Sequence, residues 1–429
     1  MINLFKYRIK ETNMKKTVFL YMIITSIIIG CNRQEANLSL TKPEKAGMSS
    51  ERLNRINRMM QDYVDQNKLP GLITMVARNG KIVHFEKFGN MYIDKPMEPD
   101  AIFCIASMTK PITSVAIMML YEEGCFQLYD PVEKYIPEFK DLKVFSHKDK
   151  DGIHVVDQVK PMTILDLLTH TSGLGNGSGN TPIDSIYKSA KLSDGSLKDM
   201  VQKLAKIPLY YQPGTKWNYS KSTDVLGYLV EVISGKPFDL FLKERIFLPL
   251  KMKDTDFYVP IEKANRIAAL YGPSDSSGFK VILKTDTLKS ILRPSKFLSG
   301  GGGLFSTAKD YMIFSQMLLN KGEFNGVRIL GRKTVEYMTE NHISDDQLPT
   351  EGFYKGTGWG LGFAVTQDII KWQGVGSNGS YWWGGAYSTM FLIDPKEQLI
   401  LILMTQFSPS EYYPINVEFT ELTYQALID

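Results

Sequence analysis

Leu53, Ile56, Met60 and Val64 recur three and four residues apart, so the folded chain is expected to open with an amphipathic helix. Two apolar runs follow, Leu72 to Ala77 and Lys81 to Phe88, on either side of Asn79-Gly80. Both turn residues tolerate positive φ, and the pair predicts a tight hairpin. From Ile112 to Tyr121 apolar side chains run almost all round a helix, which predicts a central, buried one. Pro111 near its start and Gly124 past its end mark its limits. Between about Asp130 and Ala268 helical patterns dominate, as at Ile164 to Leu168 and Val225 to Ile233, and this stretch reads as a helical insertion. The last third is mixed, with helices near Ala308 to Leu319 and Val417 to Leu427 around strands at Tyr387 to Ile393 and Leu399 to Met404. Those strands are continuous apolar runs joined at Asp394-Pro395-Lys396-Glu397, which predicts a sheet covered on both faces by helices. Strands at both chain ends with helices between them predict an α/β (α+β) protein. Residues 47–130 and 290–429 would build the sheet domain and residues 131–289 the helical one, with a cleft between them as the natural site.

The first thirty residues stand outside this pattern. Lys15 and Lys16 precede the apolar run Thr17 to Ile29, and Gly30-Cys31 follows, which is signal-peptide order. Ile28-Ile29-Gly30-Cys31 resembles a bacterial lipobox, so residues 1–31 are expected to be a lipoprotein leader with Cys31 lipidated and residues 32–46 a tether. This predicts export and a lipid anchor in a bacterial membrane, at the outer-membrane, periplasmic or surface face. The competing reading is a short uncleaved anchor, for which the apolar run is short. Met14 can serve as the start. Residues 1–30 hold five basic side chains and one acidic, which accounts for the formal charge of +4. The remainder is near neutral and gives no reason to expect nucleic acid as a partner. Cys104 and Cys125 flank the central helix, whose length of about 25 Å at 1.5 Å per residue exceeds disulfide reach.

Candidate chemistry centres on Ser107-Met108-Thr109-Lys110. Positions i and i+3 share a helix face, so the amine can reach the hydroxyl, and a base in contact is what a serine needs to become a nucleophile. The spacing also occurs at Ser39, Ser185, Ser277 and Ser306, so context has to choose. Ser107 is placed at the start of the buried helix, where the dipole favours negative charge on an attacking oxygen. The competing reading is a serine N-cap with a solvated lysine one turn on. A proton relay and an oxyanion binder are still needed. Tyr219 follows the turn Pro213-Gly214 just ahead of a helix, and Trp383-Gly384-Gly385-Ala386 leads into an apolar strand, where paired glycines let a substrate lie against backbone. Trp372, Tyr381, Trp382 and Trp383 hint at an apolar pocket wall. No H-E-x-x-H or Cys/His cluster occurs and the five histidines are scattered, so neither metal nor cofactor is implied.

These segments together resemble the serine β-lactamase-like superfamily, in its class C β-lactamase and family VIII carboxylesterase branch. The likeness runs from about Lys45 to the C-terminus. It rests on Phe103 to Pro111, Leu167-Leu168-Thr169-His170-Thr171-Ser172-Gly173-Leu174, Pro213 to Ser220, Gly300 to Ser306, Trp359-Gly360-Leu361-Gly362, and Trp383 to Ala386 with Asp394-Pro395. The resemblance implies a predominantly antiparallel sheet flanked by helices plus an all-helical domain. It implies Ser107 as nucleophile, Lys110 as the amine that orients and helps deprotonate it, Tyr219 as base and then proton donor, and the amides of Ser107 and Ala386 as oxyanion hole. Trp383, Gly384 and Gly385 would line the substrate, and His170 has no catalytic role by this match. Two departures stand out. Tyr219-Ser220-Lys221 replaces the Tyr-x-Asn of β-lactamases, and Trp383-Gly384-Gly385 replaces their Lys-Thr-Gly. The missing lysine would bind a β-lactam carboxylate. Lys221 offers a charge in its place, or is a solvated surface lysine. The expected function is a serine hydrolase cleaving a small-molecule ester, or amide, through an acyl-enzyme. The alternatives are a β-lactamase or a peptidase acting on D-amino-acid peptides, and a catalytically silent surface lipoprotein. The sequence leaves the oligomeric state open.

Overall fold

The computed structural model describes residues 38–274, 278–282, 289–348 and 355–429. The leader and Cys31 lie outside the described residues. Helix α1 (Ser50–Asp65) is capped by the Ser49 side chain, which accepts from the Arg52 amide, and buries Leu53, Ile56, Met60 and Tyr63 on one stripe. Strands β1 (Gly71–Arg78) and β2 (Lys81–Tyr92) turn at Asn79 and Gly80, with φ of 51° and 71°, as a type I′ hairpin requires.

With β3 (Lys95–Pro96), β4 (Thr357–Trp359), β5 (Ala364–Thr366), β6 (Tyr381–Gly384), β7 (Met390–Asp394) and β8 (Leu399–Thr405), these form one antiparallel sheet in the order β4-β5-β6-β7-β8-β1-β2-β3. Strand β1 is held between β2 and β8, with Leu72 opposite Thr405 and Arg78 opposite Leu399. The two chain ends therefore share the middle of the sheet. Every residue of β1, β7 and β8 is buried, which is why these strands read as unbroken apolar runs. Leu72, Val76, Leu399, Leu401 and Leu403 pack beneath α1 and the C-terminal helix, and helix Ala308–Leu319 packs on the sheet with Tyr311 set 5.2 Å from Phe391 between ring centroids. In this numbering α2 is Thr109–Glu122, α3 is Ser222–Ser234, α4 is Ala308–Leu319 and α5, the C-terminal helix, is Ile415–Tyr424. Helices α2 and α3 pack together, and α2 buries residues on all sides.

Three expectations change in detail. The stretch 131–289 is not all-helical, because Lys143–Asp149 pairs with Gly152–Asp157 and Tyr271–Ser274 with Gly278–Val281. The first of these hairpins is mostly exposed, with Val144 its one buried residue, so it carries no alternating buried face to read. The strand expected from Tyr387 begins at Met390, because Gly385 to Thr389 form the turn that follows β6, closed by Gly385 N–H donating to the Thr389 carbonyl at 2.8 Å. Ser107 lies in a single 3-10 turn, Ala106–Met108, and α2 begins two residues later. Cys104 and Cys125 are free thiols.

Candidate active site

The turn that carries Ser107 grows out of a short strand pair, Phe103–Cys104 with Phe305–Ser306. Ile105 continues it by donating to the Leu304 carbonyl at 3.0 Å. Ala106 then takes φ of 42°, a left-handed conformation that costs a non-glycine residue on the order of 1 kcal/mol or more. The kink delivers Ser107, half-buried, at the entrance to α2.

Lys110 is 4% exposed, yet its Nζ donates to the Gly301 carbonyl at 2.6 Å and to Ser107 Oγ at 3.3 Å. The same ammonium sits 4.4 Å from the centroid of the Tyr219 ring, within cation–π range. Tyr219 precedes α3 and is walled by His170, Trp217 and Trp383, with ring centroids 4.9, 6.0 and 5.4 Å away. Its hydroxyl accepts from Trp383 Nε1 at 3.1 Å. The residue before it is pinned twice, by Asn218 N–H to the His170 carbonyl at 2.8 Å and by Asn218 Nδ2 to the Leu174 carbonyl at 2.7 Å. Burial, and then the charge of Lys110, holds the His170 imidazole well below its ordinary pKa, so it is a neutral wall at physiological pH.

The carbonyl that receives Lys110 is itself fixed. Asp224, 2% exposed on α3, accepts from Ser299 Oγ at 2.5 Å and from Gly301 N–H at 3.0 Å, and its other oxygen is 3.4 Å from Lys221 Nζ. Thr113 Oγ1 on α2 donates to the Gly300 carbonyl at 2.8 Å. This close approach needs glycine, since a Cβ at Gly300 would lie 2.5 Å from the Thr223 carbonyl oxygen.

Gly385 touches the Ser107 turn in the same manner, because a Cβ there would lie 2.6 Å from the Ile105 carbonyl oxygen. Its smallness therefore serves the fit of the two segments. Ser107, Tyr219, Trp383, Gly384, Gly385 and Ala386 all line one cavity of about 490 Å³. Among the described residues the amides of Ser107 and Ala386 have no hydrogen-bonding partner within the chain. Trp372, Trp382, Val375, Met390, Leu392 and Val417 supply apolar wall, and Glu411 and Glu421 the charged groups. Among the described residues no lysine or arginine lines the cavity. Lys221 is ion-paired with Asp224 and does not line this cavity.

Sequence reasoning missed Gly301, Asp224 and the contribution of α5. The run Gly300-Gly301-Gly302-Gly303 was the available signal for the first, since consecutive glycines imply backbone approaching backbone. Nothing marked α5 beyond its apolar face.

A large antiparallel sheet flanked by helices, with a buried lysine against a serine at the mouth of a central helix, defines the β-lactamase and penicillin-binding-protein fold of serine hydrolases. The chain belongs to the Beta-lactamase family, whose model matches residues 56–424. It is 36% identical over 366 residues to protein Rv1367c of Mycobacterium tuberculosis, covering 82% of this chain and 89% of that one. It is 26% identical over 396 residues to esterase EstB of Burkholderia gladioli, with coverage of 82% and 89%. The solved structure of EstCE1, described as a hydrolase with promiscuous acyltransferase activity, matches at a TM-score of 0.74 and 22% identity, over 88% of this chain and 98% of that one. The likeness to EstCE1 shows the fold. The chain is a serine hydrolase of this family.

Proposed function

We propose that this hydrolase cleaves esters of apolar carboxylic acids through an acyl-enzyme on Ser107. The observation that carries this reading is the contact of the buried Lys110 ammonium with both Ser107 Oγ, at 3.3 Å, and the face of Tyr219, at 4.4 Å. Tyr219 acts as a phenolate beside the Lys110 ammonium and takes the Ser107 proton as Oγ bonds to the ester carbonyl carbon. The oxyanion is held by the amides of Ser107 and Ala386, at about 3 kcal/mol each for donors placed in this way. The carbonyl re-forms as the bond to the alcohol oxygen breaks, and Tyr219 returns the proton to that oxygen. Water, giving its proton to the same tyrosine, then attacks the acyl carbon; the bond to Oγ breaks, and Tyr219 returns the proton to Oγ as the acid leaves. Trp383 supplies a hydrogen bond to the Tyr219 oxygen where β-lactamases are expected to carry a lysine.

Ester is favoured over anionic β-lactam because the described lining offers two carboxylates, Glu411 and Glu421, and no lysine or arginine to meet a substrate carboxylate. The test is turnover of a short-chain nitrophenyl ester beside a chromogenic cephalosporin, with Ser107→Ala as control. Ester turnover lost in the control is expected. Faster cephalosporin turnover would overturn the preference, and ester turnover surviving in Ser107→Ala would overturn the nucleophile. The same reading has the enzyme exported and tethered through lipidated Cys31. Metabolic labelling with an alkynyl fatty acid should mark the wild type and not Cys31→Ala, and equal labelling would rule the anchor out.

A further inference from the structure

The hairpin of Lys143–Asp149 and Gly152–Asp157 contributes nothing to the cavity at Ser107, yet it carries its own group of ligating side chains. His147 and His154 are register partners on its two strands, with rings stacked 4.4 Å apart and 3° from parallel. Asp149 is two residues from His147 and so falls on the same face. Its Oδ1 is 2.9 Å from His154 Nε2 and its Oδ2 is 3.9 Å from His147 Nε2. One donor atom from each of the three side chains lies within 4.8 Å of the others. Ligand atoms around a tetrahedral ion with bonds of about 2.0–2.1 Å lie about 3.3 Å apart, so small side-chain rotations close the set.

Two local features aim these groups. The strand register shifts between Phe145 and His147, a bulge that re-aims the side chains beside it. Ser146 Oγ is 3.1 Å from His147 Nδ1, and a partner on that nitrogen orients the ring and leaves Nε2 for another bond. Lys148, one residue from each of His147 and Asp149, falls on the opposite face by strand alternation.

We propose that His147, Asp149 and His154 bind one divalent transition-metal ion of the zinc type, with solvent completing the shell. Two imidazoles and one carboxylate suit zinc, nickel or copper, whereas calcium and magnesium call for oxygen ligands. The ion ties the hairpin's two strands together near its tip. At its base the hairpin is already fastened to the body by Phe145 N–H to the Leu209 carbonyl and Leu209 N–H to the Lys143 carbonyl, both at 2.8 Å. The ion is a clamp on the hairpin, apart from the ester chemistry.

The test uses the full chain without a polyhistidine tag, stripped with chelator and titrated with zinc chloride against a chromogenic chelator. Wild type should take up one zinc per chain, and His154→Ala and Asp149→Ala should each bind at least about tenfold more weakly. Melting curves in chelator establish that the variants are folded, and ester turnover should be the same in all three proteins. No uptake by wild type, uptake unchanged in His154→Ala, or displacement of zinc by an equal concentration of calcium would each overturn the proposal.

Discussion

The cluster at Ser107 and the cluster on the 143–157 hairpin each gather three side chains capable of chemistry, and they are built by opposite means. The first draws Ser107 with Lys110, Tyr219, Gly301 and Ala386 from distant parts of the chain into a region where Lys110 is 4% exposed. The second takes its members from eight consecutive residues, His147 to His154, on a surface where His147 is 59% exposed at the side chain. The distributed site is fixed by the whole fold and works in a medium where one hydrogen bond decides where a charge sits. The local one is fixed by strand register and the Ser146 hydrogen bond to His147, and is surrounded by water, which screens its charges and lets an ion in or out.

The comparison breaks most severely at Ser107→Ala, which should lower ester turnover by at least about a thousandfold while leaving the melting curve in place. Asp224→Ala comes next. It strips the acceptor from Ser299, Gly301 and Lys221, and should cost about 3 kcal/mol in urea denaturation together with a fall in kcat, since the Gly301 carbonyl that holds Lys110 is freed. A buried imidazole on the sheet gives a comparable effect through pH. Burial lowers His84 to about 4, so the folded state resists the proton that the unfolded state accepts below about 6.5. Stability is therefore lost as pH falls from about 6.5 to 4, by about 3 kcal/mol at most. Asp310, raised to about 6 by burial, acts with the opposite sign over much of that window. The readout is therefore the difference between wild type and His84→Gln, and equal pH dependence in the two would remove His84 from the account. The smallest effect belongs to the exposed cluster. In chelator, His147→Ala should change stability by less than about 0.5 kcal/mol. A loss of several times that would mean the hairpin is part of the core.

Much of this was legible in the sequence, for identifiable reasons. The apolar spacing near Ala308 to Leu319 marks a helix that the fold has there, and Asn79-Gly80 marks the β1–β2 hairpin. Ser107, Lys110 and Tyr219 were singled out from spacing and company, and the fold brings them together. Strands β4 and β5, three residues each, are too short to show a period. The paired histidines looked scattered because their nearness depends on a hairpin whose faces are both wet, leaving no hydrophobic alternation to reveal it. Asp224 acts through a backbone carbonyl, and no residue pattern reports which carbonyl will be borrowed.

The pairing of β1 with β8 sets an order of events as well as a shape. Leu72, among the first folded residues to be made, pairs early with Phe88 but finds its second strand neighbour only when Thr405 exists, and Ser107 gains Ala386 and the wall from α5 later than it gains Lys110. A growing chain thus carries its serine and lysine without a finished site for most of its synthesis. The cavity at Ser107 gains its last walls only when Thr420 and Glu421 have been added.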